Sequence, residues 1–122
     1  MASEITAVTG LSVTKGNVVA SHATKTMKYD MTGTHRCSST QDVGTSHEAL
    51  VIPAEVATPG WCHMKNLDAT NYVEVGVLVS STFYPLLKLK PTEEIVFRLG
   101  TSSPYAKANT ATVKLDYSIY ED

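Results

Sequence analysis

The sequence predicts an all-β chain: a single antiparallel β-sandwich, jelly-roll-like, of about eight short strands with an extended N-terminal arm. Three observations carry this. Several segments alternate apolar and polar residues with period two. Gly, Pro, Asn, Asp and Ser punctuate the chain at short intervals. No segment sustains a helical period; the best helical candidate, Glu48 to Ala57, is interrupted by Pro53.

The elements follow in order. Residues 1–24 hold apolar side chains at irregular intervals, with Gly10 and Gly16 between them. This is too apolar for a free tail, and it reads as an arm or a first strand that packs on a neighbouring subunit. Ile5, Val8, Leu11 and Val13 are its candidate interface residues. The sandwich is expected over 25–122. Met27, Tyr29 and Met31 share one parity; so do Val73, Val75, Val77 and Val79, then Ile95, Phe97 and Leu99, then Val113, Leu115, Tyr117 and Ile119. Each set lies on one sheet face. A slip of one residue would bury Glu74, Lys114 and Asp116, so register is well specified. Weaker strands are expected near Thr34–Ser39, Ala49–Ile52, Trp61–Asn66 and Pro85–Leu89, and a short turn at Tyr105–Ala108. In the last weak strand Leu87 and Leu89 point inward and Lys88 and Lys90 outward, until Pro91 ends it.

Bulk properties narrow the function classes. The chain has 122 residues, 43% hydrophobic and 18% charged, with net charge −2. That fits one soluble globular domain. Basic residues form no run or stripe, so no nucleic-acid partner is expected. The start M-A-S-E-I-T lacks the basic and apolar regions of a signal peptide, and no apolar stretch is long enough to span a bilayer, so no membrane partner is expected. The chain is expected to be made in a cytoplasm, where Cys37 and Cys62 are free and buried.

Residues that could carry chemistry were weighed by geometry. His35, Cys37, Cys62 and His63 are the right types for zinc. Strand parity, however, sends Cys62 and His63 to opposite faces, and no C-x-x-C or H-x-x-x-H element pre-sets a site. No nucleophile elbow, phosphate-cradling loop or activating neighbour for a thiol occurs. Glu93 and Glu94 follow Pro91-Thr92 and read as solvated acids at a turn rather than as glycosidase carboxylates. The expectation is therefore no enzyme activity, no catalytic residue, no metal and no cofactor. Trp61 opens a strand and reads as core, with a sugar platform as its alternative. Tyr84, Tyr105 and Tyr120 fall in loops or on outer faces and are candidate interface residues. Asn66, Asp68 and Asn71 suit a connection between strands, because their short side chains bond nearby backbone.

The segments W-C-H-M-K-N-L-D-A-T-N-Y-V-E-V-G-V, P-L-L-K-L-K-P-T-E-E-I-V-F-R-L and Y-A-K-A-N-T-A-T-V-K-L-D-Y-S-I-Y-E-D resemble small structural proteins of tailed-bacteriophage virions. The resemblance also touches S-S-T-Q-D-V-G-T-S-H-E-A-L and so runs from Ser38 to Asp122. Thr92 departs from it, standing where the pattern has Gly. The resemblance implies a capsid cement or decoration protein, a homotrimer on the virion surface that reinforces the major capsid protein. Its alternative is a tail- or fibre-associated module binding host-surface glycans, with Trp61, Tyr84 and Tyr105 as candidates. A cupin-like metal enzyme on the same fold is a third class.

Overall fold

The computed structural model describes residues 3–122, which fall into two compact units, residues 3–32 and 33–122. The described residues form ten strands and no helix.

The first unit is a hairpin of β1 (Ile5–Lys15) and β2 (Val18–Tyr29). Residues 1–24, expected as an arm or a first strand, hold β1 and the first part of β2, with residues 1 and 2 outside the described residues. The chain reverses at Gly16-Asn17, between the paired Lys15 and Val18. Gly16 has φ +56° and supplies the positive φ at the first central position that a type II′ turn requires. The ladder is broken between Thr9 and Leu11, where Gly10 stands unpaired. That irregularity hides the alternation from the sequence. Met27 and Tyr29, expected in the sandwich, belong to β2 and pair with Ala7 and Ile5.

The second unit is a two-sheet sandwich built from β3 (Arg36–Val43), β4 (Glu48–Ala49), β5 (Pro59–Asn66), β6 (Val73–Val79), β7 (Thr82–Leu89), β8 (Glu94–Arg98), β9 (Tyr105–Ala108) and β10 (Val113–Glu121). One sheet has the order β3-β10-β5-β8 and the other β4-β9-β6-β7. The antiparallel pairs β6·β7, β5·β8, β4·β9 and β3·β10 are nested one inside the next. A long hairpin folded over so that successive pairs alternate between sheets is the jelly roll. Tyr105–Ala108, expected as a turn, is a strand whose small Ala106 and Ala108 face the core.

Strand β10 is the centre of the core. Val113, Leu115, Tyr117 and Ile119 are fully buried, while Lys114 points to solvent. Burying each such side chain contributes roughly 1.5–3 kcal/mol. Val43, Cys37, Cys62, Met64, Val73, Val75 and Leu89 pack with it from both sheets. Tyr117 reaches the far side of the core, and its hydroxyl donates to the Val51 carbonyl at 2.6 Å. The Gln41 amide donates to Glu48 Oε1 and the Ala49 carbonyl, and its oxygen accepts from Val51 N. These bonds hold residues 48–52 extended across the core edge. They are why the apolar run there is not a helix.

Two turns are strained. Ser80 and Ser81 link β6 to β7 with φ +51° and +65°, the conformation of a type I′ turn without its usual Asn-Gly. Between β7 and β8, Glu93 N donates to the Lys90 carbonyl at 3.0 Å, Pro91 occupies the first central position, and Thr92 has φ +68° at the second. That is a type II turn, which favours Gly there. Thr92→Gly is expected to raise stability by about 1 kcal/mol, because a β-branched residue in the left-handed region costs about 1–2 kcal/mol. Urea unfolding of the two chains checks it: a higher midpoint at unchanged slope is expected.

Candidate interaction surfaces

The four residues with metal-ligand chemistry are kept apart. Cys37 and Cys62 both lie opposite Ile119, one on each side of β10. Two strand spacings, about 9.6 Å, separate them, beyond the reach of a disulfide. Both thiols are buried, and burial pushes Cys62 up to about 12. His63 lies on the outer face and meets Glu94 at 2.6 Å. His35 precedes β3 and meets Glu121 Oε1 at 3.1 Å. Among the described residues no group of three or more His, Cys, Asp or Glu could hold a metal. Glu93 and Glu94 diverge: Glu93 accepts from Lys90 N, and Glu94 meets His63.

The polar stretch Asn66–Asn71 carries the chain from the first sheet to the second. Asn66 is fully buried. Its Nδ2 donates to the Asn71 carbonyl at 2.9 Å and the Leu89 carbonyl at 3.0 Å, and its Oδ1 accepts from Asp68 N at 2.8 Å. Asp68 accepts in turn from Thr70 N and Asn71 N. The amide thus ties the end of β5, the connection and the end of β7 together.

The opposite end of the sandwich is looser. Along β6, Val73 is 0% exposed, Val75 3%, Val77 half-buried and Val79 54%. All four share one parity, so the inner face of β6 runs on past its cover. On β7 the register shifts between the pairs Val75–Leu87 and Gly76–Pro85, and Leu86 bulges out, 73% exposed. The bulge presses the Tyr84 carbonyl against Gly76, where a Cβ would stand 2.0 Å away. Beyond it Tyr84 lies opposite Val77 and is 51% exposed. An apolar cleft of about 260 Å³ enters the core here, lined by Val75, Val77, Leu86, Leu87, Phe97 and Leu99 among others. The sequence signals were Pro85 inside an apolar run and Gly76 inside an alternating strand, which mark a bulge without locating a cleft.

The expected interface residues separate into three places. Ile5 and Val13 are half-buried on β1, where Val8 and Leu11 are 54% and 60% exposed. Tyr84 lies on the open end just described. Tyr105 is half-buried opposite Gly76, edge-on to the His47 ring at 6.1 Å, and His47 stacks on Phe83 at 6.4 Å. Tyr120 lies on the other sheet, opposite Arg36. Trp61 is half-buried, with the Arg98 guanidinium over its ring at 5.5 Å. No protein-family model, curated protein or solved structure matches the chain.

Asn66→Ala is expected to cost about 2–4 kcal/mol by leaving buried carbonyls unsatisfied, read as a lower unfolding midpoint. Acid should weaken the same fold. The His35 side chain and then backbone N–H groups hold Glu121 below its ordinary value, His63 does so for Glu94, and the Asn71 and Thr70 N–H groups for Asp68. Groups with depressed folded values contribute stability above the ordinary carboxylate range and lose it as pH falls through the folded values. Thermal melts should therefore drop below about pH 4, and Glu121→Gln should flatten that limb.

Proposed function

We propose that the chain is a structural component of a phage virion, a capsid decoration protein that binds the assembled major capsid shell as a homo-oligomer, with the trimer as its form. The observation that carries this reading is the exposure of apolar surface at places suited to docking: the hairpin residues Val8, Leu11, Val18 and Val19, and the open end of the jelly roll at Val79, Tyr84 and Leu86. Exposed apolar groups are surfaces that another protein can cover. The segments that resemble virion proteins support the reading, because their distinctive residues build scaffold. K-N-L-D-A-T-N is the corner between the sheets, P-L-L-K-L-K-P-T-E-E is β7 with its turn, and the last segment holds the central strand. The localisation that goes with it is the outer surface of the capsid.

Sedimentation with assembled shells of the cognate phage's major capsid protein, lacking this chain, tests the reading. Saturable co-sedimentation is expected, at a stoichiometry that is a multiple of the oligomer. A chain that stays in the supernatant at tens of micromolar overturns it.

The cluster of His47, Phe83 and Tyr105 rings on the second sheet favours a second reading, a host-glycan binding module on a tail or fibre. A glycan array separates the two, since a decoration protein leaves it blank.

A further inference from the structure

We infer that the edge strand β8 pairs with the same strand of a second copy, antiparallel and about a two-fold axis at Val96. The inference goes beyond the virion reading and does not depend on it. A two-fold contact cannot close a trimer, so it joins copies that belong to neighbouring oligomers.

Strand β8 has one free side. Among the described residues it is paired with β5 alone, in a register without a bulge. Leu99 N donates to the Gly60 carbonyl and Asn66 N to the Glu93 carbonyl, and both pairs continue that register. Residues 93, 95, 97 and 99 therefore turn their backbone groups toward β5. Alternation turns the N–H and C=O groups of Glu94, Val96 and Arg98 the other way, out of the sheet. On the other sheet the edge strand β7 is guarded by Pro85 and by the bulge at Leu86. Strand β8 keeps a regular edge.

The charges on this edge select its own copy. Glu94-Ile95-Val96-Phe97-Arg98 has an acid at one end, a base at the other and apolar residues between. Centred on Val96, antiparallel pairing sets Glu94 of each copy opposite Arg98 of the other, and Val96 opposite Val96. All of these residues face the free side, so each pair exchanges two main-chain hydrogen bonds. Opposite charges directly across a ladder stabilise it, and like charges oppose it. Parallel pairing sets Glu94 against Glu94, and a slip of two residues sets Glu94 against Val96. Glu94, Val96 and Arg98 are all exposed on the outer face. Glu94 also meets His63, and Arg98 meets Asp122. A carboxylate has two oxygens and a guanidinium five N–H groups, so both charges can serve the ladder as well. Val96, 43% exposed, is covered by its counterpart. A strand without this order of charges is turned away by the same residues.

The paired edge is about 17 Å long. It buries less than the about 800 Å² per partner of a stable interface, so in solution the pairing is weak and concentration-dependent. Copies held side by side raise it through their effective concentration.

The test traps this weak contact covalently in the full chain. Cα atoms of a hydrogen-bonded antiparallel pair lie about 5.5 Å apart, within disulfide reach, and Cys37 and Cys62 are buried. With oxidised glutathione at high micromolar concentration, Val96→Cys should form a disulfide dimer about tenfold faster than Val51→Cys, which is 66% exposed. Adding Glu94→Arg or Arg98→Glu to Val96→Cys sets like charges opposite each other and should slow the cross-link about tenfold. Mixing these two charge variants restores opposite charges in the mixed pair alone, so intact mass should show mixed dimers in excess. The chain with both reversals should regain the parent rate. Far-UV circular dichroism checks each fold. Val96→Cys that cross-links no faster than Val51→Cys overturns the inference, whether or not the charge variants fold. Charge variants that keep the parent rate, or a mixture without an excess of mixed dimers, also overturn it. Shell sedimentation is read separately: a chain that cross-links at Val96→Cys and ignores shells defeats the virion reading alone.

Discussion

The sandwich depends on a single buried amide at one end. Asn66 has no exposure and no unused N–H, and it joins backbone from the end of β5, the following connection and the end of β7. These segments belong to different sheets, so the amide fixes how one sheet hands over to the other. Around it the Asn66 N–H donates to the Glu93 carbonyl, Leu67 N to Lys114 O, and Asn109 N to Tyr72 O. Every connection at that end is tied to a neighbour. A buried polar network stabilises only when it is fully satisfied, and the Asn66 side chain meets that condition.

At the other end Glu121 accepts from Thr34 N, His35 N and Ala57 N, but the β6–β7 corner lies away from these bonds. Exposure rises steadily from Val73 to Val79 along residues of one parity. The bulge at Leu86 then turns a side chain outward that a regular strand would have placed differently. The apolar cleft follows from both features: the inner faces of two sheets separate before either runs out of apolar residues. The outer face of the first sheet is in contrast closed by polar pairs. Thr40 donates to Asp116, Lys114 to Asp42, and Ser38 bonds Ser118. Val96 is the exposed large apolar residue on that face.

Much of this was legible in the sequence where alternation is strict. The inner sets of β8 and β10 and the outward Lys88 and Lys90 follow from parity alone, and so does the separation of Cys62 from His63. The hairpin was not legible, because the break at Gly10 shifts the pattern of β1 against that of β2. Strand β9 was hidden by its alanines, which are poor strand formers and fit only because the facing core is full. Residues 48–57 are the best helical candidate in the sequence, interrupted by Pro53, and the strand expected at Ala49–Ile52 shrinks to Glu48–Ala49, with the Gln41 and Tyr117 side chains, distant in sequence, bonding the backbone of Ala49 and Val51. The cleft depends on where one sheet ends relative to another. Period-two patterns do not record that distance.

Thr92 and the pair Ser80-Ser81 hold positive φ angles just beyond the two ends of β7. Both turns use residues that the backbone conformation disfavours, at positions where Gly or Asn-Gly would relieve it. Strain of this kind persists only where the surroundings over-determine the conformation. At Thr92 the surroundings are the Lys90–Glu93 bonds and the well-paired β7 and β8. At Ser80-Ser81 they are only the two ends of the β6–β7 overrun, where Val79 and Tyr84 lack a cover. The strained turn and the exposed Val79 and Tyr84 thus lie at one corner of the sandwich.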